Sequence, residues 1–263
     1  MKKFAHKAKW LLLLVMLPGF SACLKIGEYY AGLNMQPETP EFEPALNVYG
    51  LLMAGDLPDS INHHFEVQQV LDLLEWTEDI EVSDATVLLQ SSNQKHEVKR
   101  YELVHQDSGR YFNAAIDVNP GERWTYECTK DSFSITSDCI VPAIPVLAQN
   151  PVISANSLRL SVKADSSAFL YQFYLLTPTA TFELFLLPEN GSNTAVMLEP
   201  GWDFIPDDAV LFICAYDQQL RQYMAASNTF FKPNAYRPPF STVEGGYGTF
   251  GAVSMARFVL NEI

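Results

Sequence analysis

Short segments of alternating apolar and polar residues recur from Ala45 onward, and this feature constrains the fold more than any other. Between residues 45 and 141 the segments are ALNVYGLL, FEVQQV, ATVLLQS, HEVKRYELV, RYFNAAIDV, RWTYECT and FSITSDCIV. Alternation places every second side chain on one face, as in a half-buried strand. Gly, Asn, Asp, Ser or Pro residues fall between several of the segments, as turns require. The pattern therefore predicts an antiparallel β-sandwich.

The run Pro142-Ala-Ile-Pro145 marks a boundary, because proline is barred from central strands. Beyond it the chain is again rich in strand-like segments: SLRLSVKA, FLYQFYLL, TFELFLLP, AVLFICAYD and VSMARFVL. We predict an all-β protein with an immunoglobulin-like or fibronectin-like sandwich at residues 45–146 and a second antiparallel β-rich domain at 147–263. The segment LDLLEWTEDIE (71–81) fits a short helix or an inserted loop. Tyr126, two residues before Cys128, occupies the place of a tyrosine corner, although an aromatic that simply fills the core fits equally well.

The N-terminus has the pattern of a secretory signal. Four lysines precede a short apolar run, Trp10 to Leu17, which is shorter than the ~20 residues of a membrane-spanning helix. The small pair Ser21-Ala22 then precedes Cys23, where a lipoprotein would be cleaved and lipidated. We predict a lipoprotein signal peptide at 1–22, lipidation at Cys23 and an extended tether at 23–44; the alternative is an ordinary signal peptide with an incidental cysteine. Pro and Glu in the run QPETPEFEP favour an extended chain.

The acidic composition limits the partners. The formal net charge is −14, and loss of the four signal lysines lowers it to −18. Nucleic acid requires a basic surface, and anionic headgroups repel an acidic one. We expect no nucleic-acid partner and contact with the membrane only through the lipid.

Three cysteines remain after lipidation: Cys128, Cys139 and Cys214. If Cys128 and Cys139 lie on a hairpin that turns at Lys130-Asp131, Cys128 faces Phe133. Cys139 is then six residues further along, roughly 20 Å at ~3.4 Å per residue, too far for a disulfide. These are buried free thiols, or the pair is made elsewhere. Cys214 lies in an apolar run and is predicted to be in the core.

Catalytic and metal-binding patterns are sparse. His63 and His64 point to opposite faces of a strand, and His64 with Glu66 offers only two ligands on one face. The adjacent acids Asp207-Asp208 and Glu78-Asp79 do not converge as a general acid and base must. We therefore expect no enzyme, no metal and no cofactor. Most aromatics are expected in the core, whereas the segment 236–240, YRPPF, is a candidate contact surface if it is exposed.

The segment GYGTFGA (246–252) matches a dinucleotide fingerprint in its letters. That fingerprint needs a following helix and an acid ~20 residues on, but the segment is followed by the strand-like VSMARFVL. We interpret Gly245, Gly246, Gly248 and Gly251 as a structural glycine loop. Such a loop needs positive φ or close backbone approach, and it would let a final strand, Ala252 to Leu260, close the second domain.

The order of several motifs resembles a known family. After the lipoprotein cysteine come LNVYGLL, VSDATVLL, GRYFNAAIDVNPGERWTYEC, the proline-rich exit and PFSTVEGGYGTFGAVS. The chain resembles the Bacteroidota lipoprotein family catalogued as domain of unknown function 4249. The more specific parts of the resemblance are the closing element and the set Gly109, Tyr111, Pro120, Gly121 and Tyr126. The segment between Ser167 and Asp208 is shorter here than in the family.

The resemblance implies an outer-membrane lipoprotein with an immunoglobulin-like N-terminal domain, often encoded beside a TonB-dependent receptor. It brings no catalytic residue. The sequence therefore supports two hypotheses: an accessory or ligand-presenting partner of a TonB-dependent transporter, or a surface adhesin or glycan-binding lipoprotein that acts without one.

Overall fold

The alternating segments form strands in the computed structural model. It describes residues 44–56, 63–70, 80–93, 95–154, 156–189, 191–201, 203, 205–206, 208–227 and 241–260. The first strands are β1 (Leu46–Gly55), β2 (His64–Gln69), β3 (Thr86–Ser92), β4 (Val98–His105), β5 (Tyr111–Phe112), β6 (Arg123–Lys130) and β7 (Phe133–Ile140). They are followed by β8 (Val152–Ser154), β9 (Ser157–Val162), β10 (Leu170–Leu176), β11 (Thr181–Leu186), β12 (Thr194–Leu198), β13 (Val210–Tyr216), helix α1 (Gln218–Ser227) and β14 (Tyr247–Val259). The all-β prediction is confirmed.

The strands form three sheets. A six-stranded sheet has the order β11-β10-β13-β14-β1-β2, a five-stranded sheet has the order β5-β4-β3-β6-β7, and a three-stranded sheet has the order β12-β9-β8. Every pairing within them is antiparallel except that of β1 with β14, which is parallel. The parallel pair joins the start of the described chain to its end.

One face of the six-stranded sheet contributes to both large cores. In the first core, Val48, Phe65 and Phe250 pack with residues of the five-stranded sheet such as Trp124 and Tyr126. The second core contains β10, β13 and β9 residues and also Leu260. The predicted division at residues 146 and 147 separates these cores except in the last segment of the described chain, because Val243, Phe250 and Ala252 lie in the first core while Leu260 lies in the second.

The opposite face of this sheet carries helix α1. Leu220 of α1 packs in a small buried cluster with Met53 of β1, Cys214 of β13 and Val253 of β14. Tyr223 lies with its ring centroid 6.4 Å from that of Tyr49 on β1. The helix therefore lies over the β1–β14 junction, on the face away from the two large cores.

Several predicted elements differ from the structure. The segment 110–118 contains only the two-residue strand β5, because Ala114 and Ala115 form a turn in which Asn113 Oδ1 accepts the Ala115 N–H at 2.8 Å. Strands β8 and β12 and helix α1 were not predicted. The candidate helix or loop at 71–81 lies outside the described residues except for Ile80 and Glu81.

The three described cysteines are free and buried. Lys130 pairs with Phe133, so Cys128 faces Ile135 and Cys139 faces Trp124. The predicted register, with Cys128 facing Phe133, was wrong by two residues because the two-residue turn lies one residue further along the chain, at Asp131 and Ser132, with Asp131 at a φ of 51°. Four residues along the strand still separate Cys139 from the position opposite Cys128, so the two thiols cannot bond.

Candidate functional site

The described part of the chain contains a surface groove of about 720 Å³. It lies where the β9–β10 loop, the β11–β12 loop and helix α1 meet. The lining residues are Ala164, Asp165, Ser166, Ala168, Phe169, Leu187, Pro188, Glu189, Gly191 and Arg221.

Hydrogen bonds hold the Asp165 side of the groove in place. The Asp165 carboxylate accepts the Ser167 N–H at 3.0 Å, the Ser167 hydroxyl at 2.8 Å and the Ala143 N–H at 3.0 Å. Asn and Asp side chains commonly fix loops in this way. The hydrogen bond from Ala143 connects the loop to the proline-rich segment after β7, so this wall of the groove is preformed.

The opposite wall is fixed by a second set of bonds. Glu189 accepts the Ser192 hydroxyl at 3.1 Å, and its own N–H donates to the Thr194 hydroxyl at 3.2 Å. The Ala164 N–H donates to Asn193 Oδ1 at 3.1 Å, which joins the two loops directly. The groove is therefore a preformed feature of the loops.

Helix α1 positions Arg221, and Asp217 caps the N-terminus of that helix. Asp217 is only 2% exposed, and its carboxylate accepts the Leu220 N–H at 2.8 Å, as an N-cap residue does. Its other oxygen accepts the Ala252 N–H of β14 at 3.0 Å. Burial raises the pKa of Asp217 to about 7, against the opposing effect of these backbone hydrogen bonds.

The groove has the chemistry of a binding site. The Arg221 guanidinium can form paired hydrogen bonds with a carboxylate or phosphate, and the Glu189 carboxylate can accept from hydroxyl or ammonium groups. Phe169 and Leu187, which are 37% and 58% exposed, provide an apolar surface beside them. Polar groups beside an apolar surface are typical of small-molecule sites.

Sequence reasoning missed the groove residues and the helix cap. Asp165 with Ser167 matches an Asx-turn pattern, and Asp217 precedes the helix-favouring run QQLRQ. These two patterns could have identified the loop and the helix. They could not have shown that the two elements meet, because that depends on sheet order.

The four glycines of the predicted loop are divided between a bend and a strand. Gly245 and Gly246 precede β14, whereas Gly248 and Gly251 lie within it, so the prediction of a loop is wrong for those two. The expected backbone requirements are present: Gly245 has a φ of 83° and Gly248 has a φ of 108°. A Cβ on Gly248 would overlap the Val48 carbonyl oxygen of β1.

The glycine segment lets the chain pass between two sheets. Just before it, Glu244 exchanges two backbone hydrogen bonds of 2.9 and 3.0 Å with Thr136 of β7. A Cβ on Gly245 would overlap the Ser134 carbonyl oxygen, and one on Gly246 would lie 2.7 Å from that of Leu46. The chain thus leaves β7 and joins β1 within a few residues. The dinucleotide-like letters lie at a strand start and not at a strand-to-helix turn.

The two histidines have separate partners, and only His64 lies on β2. His64 and Glu66 share one face of β2, with His64 Nε2 3.2 Å from Glu66 Oε2. His63 instead accepts the Met53 N–H at 3.1 Å, and burial lowers its pKa. Among the described residues, no group of three or more His, Cys, Asp or Glu side chains could hold a metal ion.

The thiols are poor nucleophiles. Burial raises the pKa of Cys128 to about 11 and that of Cys214 to about 12. The pKa of Cys139 is also raised, by burial and then by nearby Asp217. A nucleophilic cysteine needs a lowered pKa and solvent access, and these three have neither.

Three residues of the family-like set have clear structural roles. Gly109, at a φ of 70°, accepts the Val67 N–H at 2.9 Å, and Gly121, at a φ of 80°, donates to the Val141 carbonyl at 2.9 Å. The Tyr111 hydroxyl donates to the Val82 carbonyl at 2.9 Å and accepts the Ala85 N–H at 3.0 Å. The buried Tyr126 hydroxyl lies beside the Cys128 thiol and makes no hydrogen bond to a described backbone group, so Tyr126 does not form a tyrosine corner.

Some predicted positions lie outside the described residues: Cys23, the segments 1–22 and 23–43, Glu78, Asp79, Asp207 and the segment 236–240. Within the described residues, no helix has the length and apolar character needed to cross a membrane.

No protein-family model matches the chain, and no curated protein matches it. Among solved structures, a segment of two fibronectin type-III domains from chicken tenascin is 11% identical, with 66% of this chain and 91% of that chain covered and a TM-score of 0.21. The FN1–FN3 domains of chicken CNTN1 are 14% identical, with 65% and 57% covered and a TM-score of 0.24. A tetra-tandem repeat from the extending region of a large adhesion protein is 6% identical, with 83% and 50% covered and a TM-score of 0.23. TM-scores this low assign neither a fold family nor an activity to the chain.

Proposed function

We propose that this protein is an outer-membrane lipoprotein, held by lipid on Cys23, that binds a ligand without catalysis and presents it to a TonB-dependent transporter. The observation that carries the proposal is the N-terminal sequence, in which a basic and then apolar segment ends at Ser21-Ala22-Cys23. The order of motifs that resembles domain of unknown function 4249 supports the transporter as the partner.

The groove supports the ligand-binding part of this proposal. Its walls are fixed by hydrogen bonds from Asp165 and Glu189, and both loops are anchored on strands. Sites on a rigid β scaffold bind at low entropic cost because little must be ordered on binding. The net charge of −18 after signal removal keeps the folded part from adsorbing to anionic headgroups and leaves the lipid as the attachment.

Co-purification tests the partner. The lipidated protein, extracted gently with detergent, is expected to bring down a large β-barrel protein. An Arg221→Ala variant tests whether the groove takes part in this association, because it removes the positive charge of the groove and leaves the lipid anchor in place. Recovery of the wild-type protein without any β-barrel protein would contradict the proposal.

A glycan-binding adhesin that acts without a transporter is the second candidate, and exposed Phe169 in the groove favours it. An aromatic face beside carboxylate and guanidinium groups suits a sugar ring with its hydroxyls. A glycan array with soluble residues 24–263 tests this function. Binding should be lost in Phe169→Ala and kept in Phe185→Ala, which removes a similarly exposed phenylalanine that does not line the groove. Absence of binding by the wild-type protein would reject it.

A further inference from the structure

The two edges of the six-stranded sheet differ in how they are covered. At the β2 edge, the Val67 N–H donates to Gly109 and the Gln69 N–H donates to Ile80, at 2.9 and 2.7 Å. At the other edge, β11 pairs with β10 and with no other strand among the described residues. One edge is thus closed by the chain itself, whereas the backbone donors and acceptors on the outer side of β11 have no partner among the described residues.

Strand β11 also lacks the usual protection against strand addition. Native edge strands commonly carry lysine, proline or a bulge, which prevent pairing with another chain. The sequence of β11, TFELFL, has none of these. Its single charge, Glu183, accepts a hydrogen bond from Gln172 on β10 and so lies against the sheet face.

The apolar side chains of β11 are incompletely covered. Phe182, Leu184 and Leu186 face the second core but are only partly buried there, whereas Phe173 and Leu175 on neighbouring β10 are fully buried. Phe185, on the opposite face of the sheet, is 42% exposed. A strand added beside β11 would cover the three core-facing residues laterally.

We propose that β11 pairs antiparallel with β11 of a second copy of this chain, with Leu184 opposite Leu184 of that copy. Residues that lie directly opposite each other in an antiparallel pair point to the same face of the sheet. The two-fold axis that relates the two β11 strands must therefore pass beside a residue and not between two residues. Centring on Glu183 would place two carboxylates directly opposite each other, which is destabilising.

A two-fold axis at Leu184 avoids placing the two Glu183 carboxylates opposite each other and keeps the apolar residues of both strands on one face of the sheet. It places Glu183 opposite Phe185 and Phe182 opposite Leu186, so both second cores share one apolar row. Centring on Phe185 would place Pro188, which has no N–H to donate, opposite Phe182 and shorten the pairing. Self-complementarity in this one register therefore favours a second copy as the occupant.

Paired cysteine variants of the full lipidated protein test the register in its own membrane. In the proposed dimer, Leu184 Cα atoms lie ~5 Å apart, within disulfide range, while Phe185 Cα atoms lie ~8 Å apart, outside it. After mild oxidation and thiol blocking, Leu184→Cys should give several-fold more disulfide-linked dimer than Phe185→Cys. The native thiols among the described residues are buried, so cross-linking of the wild-type protein gives the background level.

Phe185, the control position, is more exposed than Leu184. Cross-linking by random collision would therefore give more dimer in Phe185→Cys than in Leu184→Cys. Equal cross-linking of the two variants, or more in Phe185→Cys, would overturn the proposal. Absence of dimer from both would also overturn it, including the case in which another protein's strand occupies the edge. The experiment does not depend on a transporter, so its failure is distinct from failure of the proposed function.

Discussion

At the scale of single residues, the closing glycines show how a motif can be understood only from its surroundings. The letters of GYGTFGA suggest a phosphate-binding turn, but the following strand-like residues already argue against one. The expected need for positive φ is confirmed at Gly245 and Gly248. The partners of these glycines, β7 and β1, could not be predicted because both are distant in sequence and are brought together only by the parallel β1–β14 pair.

Gly248→Ala is predicted to destabilise the protein far more than Gly201→Ala. Both glycines have positive φ, 108° and 75°, but a Cβ on Gly201 would meet no atom within 4 Å, whereas one on Gly248 overlaps the Val48 carbonyl. Backbone strain alone costs about 1–3 kcal/mol, and Gly248→Ala adds the separation of β1 from β14. Urea unfolding of soluble residues 24–263 measures both. Equal losses would show that the close approach to β1 is unimportant.

Asp217 is predicted to make stability depend on pH. Its pKa is raised from 3.8 to about 7 in the folded chain, chiefly by burial, so the folded state holds the proton more tightly than the unfolded state. The resulting stabilisation is complete below pH 3.8 and is lost as the pH rises to about 7.

The matched variant is Asp217→Asn, which cannot titrate there. The free energy of unfolding of the wild type should fall relative to that of Asp217→Asn between these pH values and then run parallel to it. Curves that stay parallel across the whole range would contradict the assignment of this dependence to Asp217.

At the scale of elements, the strands were predictable wherever one face is buried and the other is solvated. The alternation of β4 and β6 gave bounds within two residues of those observed. The segment 110–118 failed because alternation alone cannot show that Ala114 and Ala115 turn. Helix α1 was missed because its ten residues lack the alternation by which the strands were recognised. The groove depends on which loops meet, which no local pattern contains.

The Tyr111 hydroxyl is predicted to link β5 to the segment before β3. Tyr111→Phe removes the bonds to the Val82 carbonyl and the Ala85 N–H, at a cost of about 1–3 kcal/mol, because buried backbone groups lose their partner. Tyr126→Phe is the matched control, since its buried hydroxyl bonds no described backbone group and has only the weakly accepting Cys128 thiol beside it, and it should be neutral or stabilising. Chemical denaturation compares them. A larger loss for Tyr126→Phe would reverse the assigned roles.

At the scale of the whole molecule, β14 makes the two cores interdependent. Pro44–Ile263 forms one compact unit, and the first core includes Val243, Phe250 and Ala252 from the end of the chain. Phe250 packs on Tyr126 with ring centroids 5.2 Å apart. The sequence gives two strand-rich halves, but it could not show that the last strand is shared between them.

The fragment 45–146 is therefore predicted not to fold alone. Without residues 241–260, the first core loses fully buried Phe250 and the parallel partner of β1. Near-UV circular dichroism should show no fixed aromatic environment in the fragment, and supplying residues 241–260 through a flexible linker should restore it. A cooperative unfolding transition in the fragment alone would contradict this interdependence.

The central claim is that the protein is held in the envelope by lipid on Cys23, and metabolic labelling with a radioactive fatty acid tests it most directly. We predict that the wild-type protein incorporates the label and sediments with membranes. Cys23→Ala should incorporate none, whereas Cys214→Ala, which removes a buried core thiol, should be labelled normally. Labelling that persists in Cys23→Ala, or a wild-type protein that takes up no label, would contradict the account.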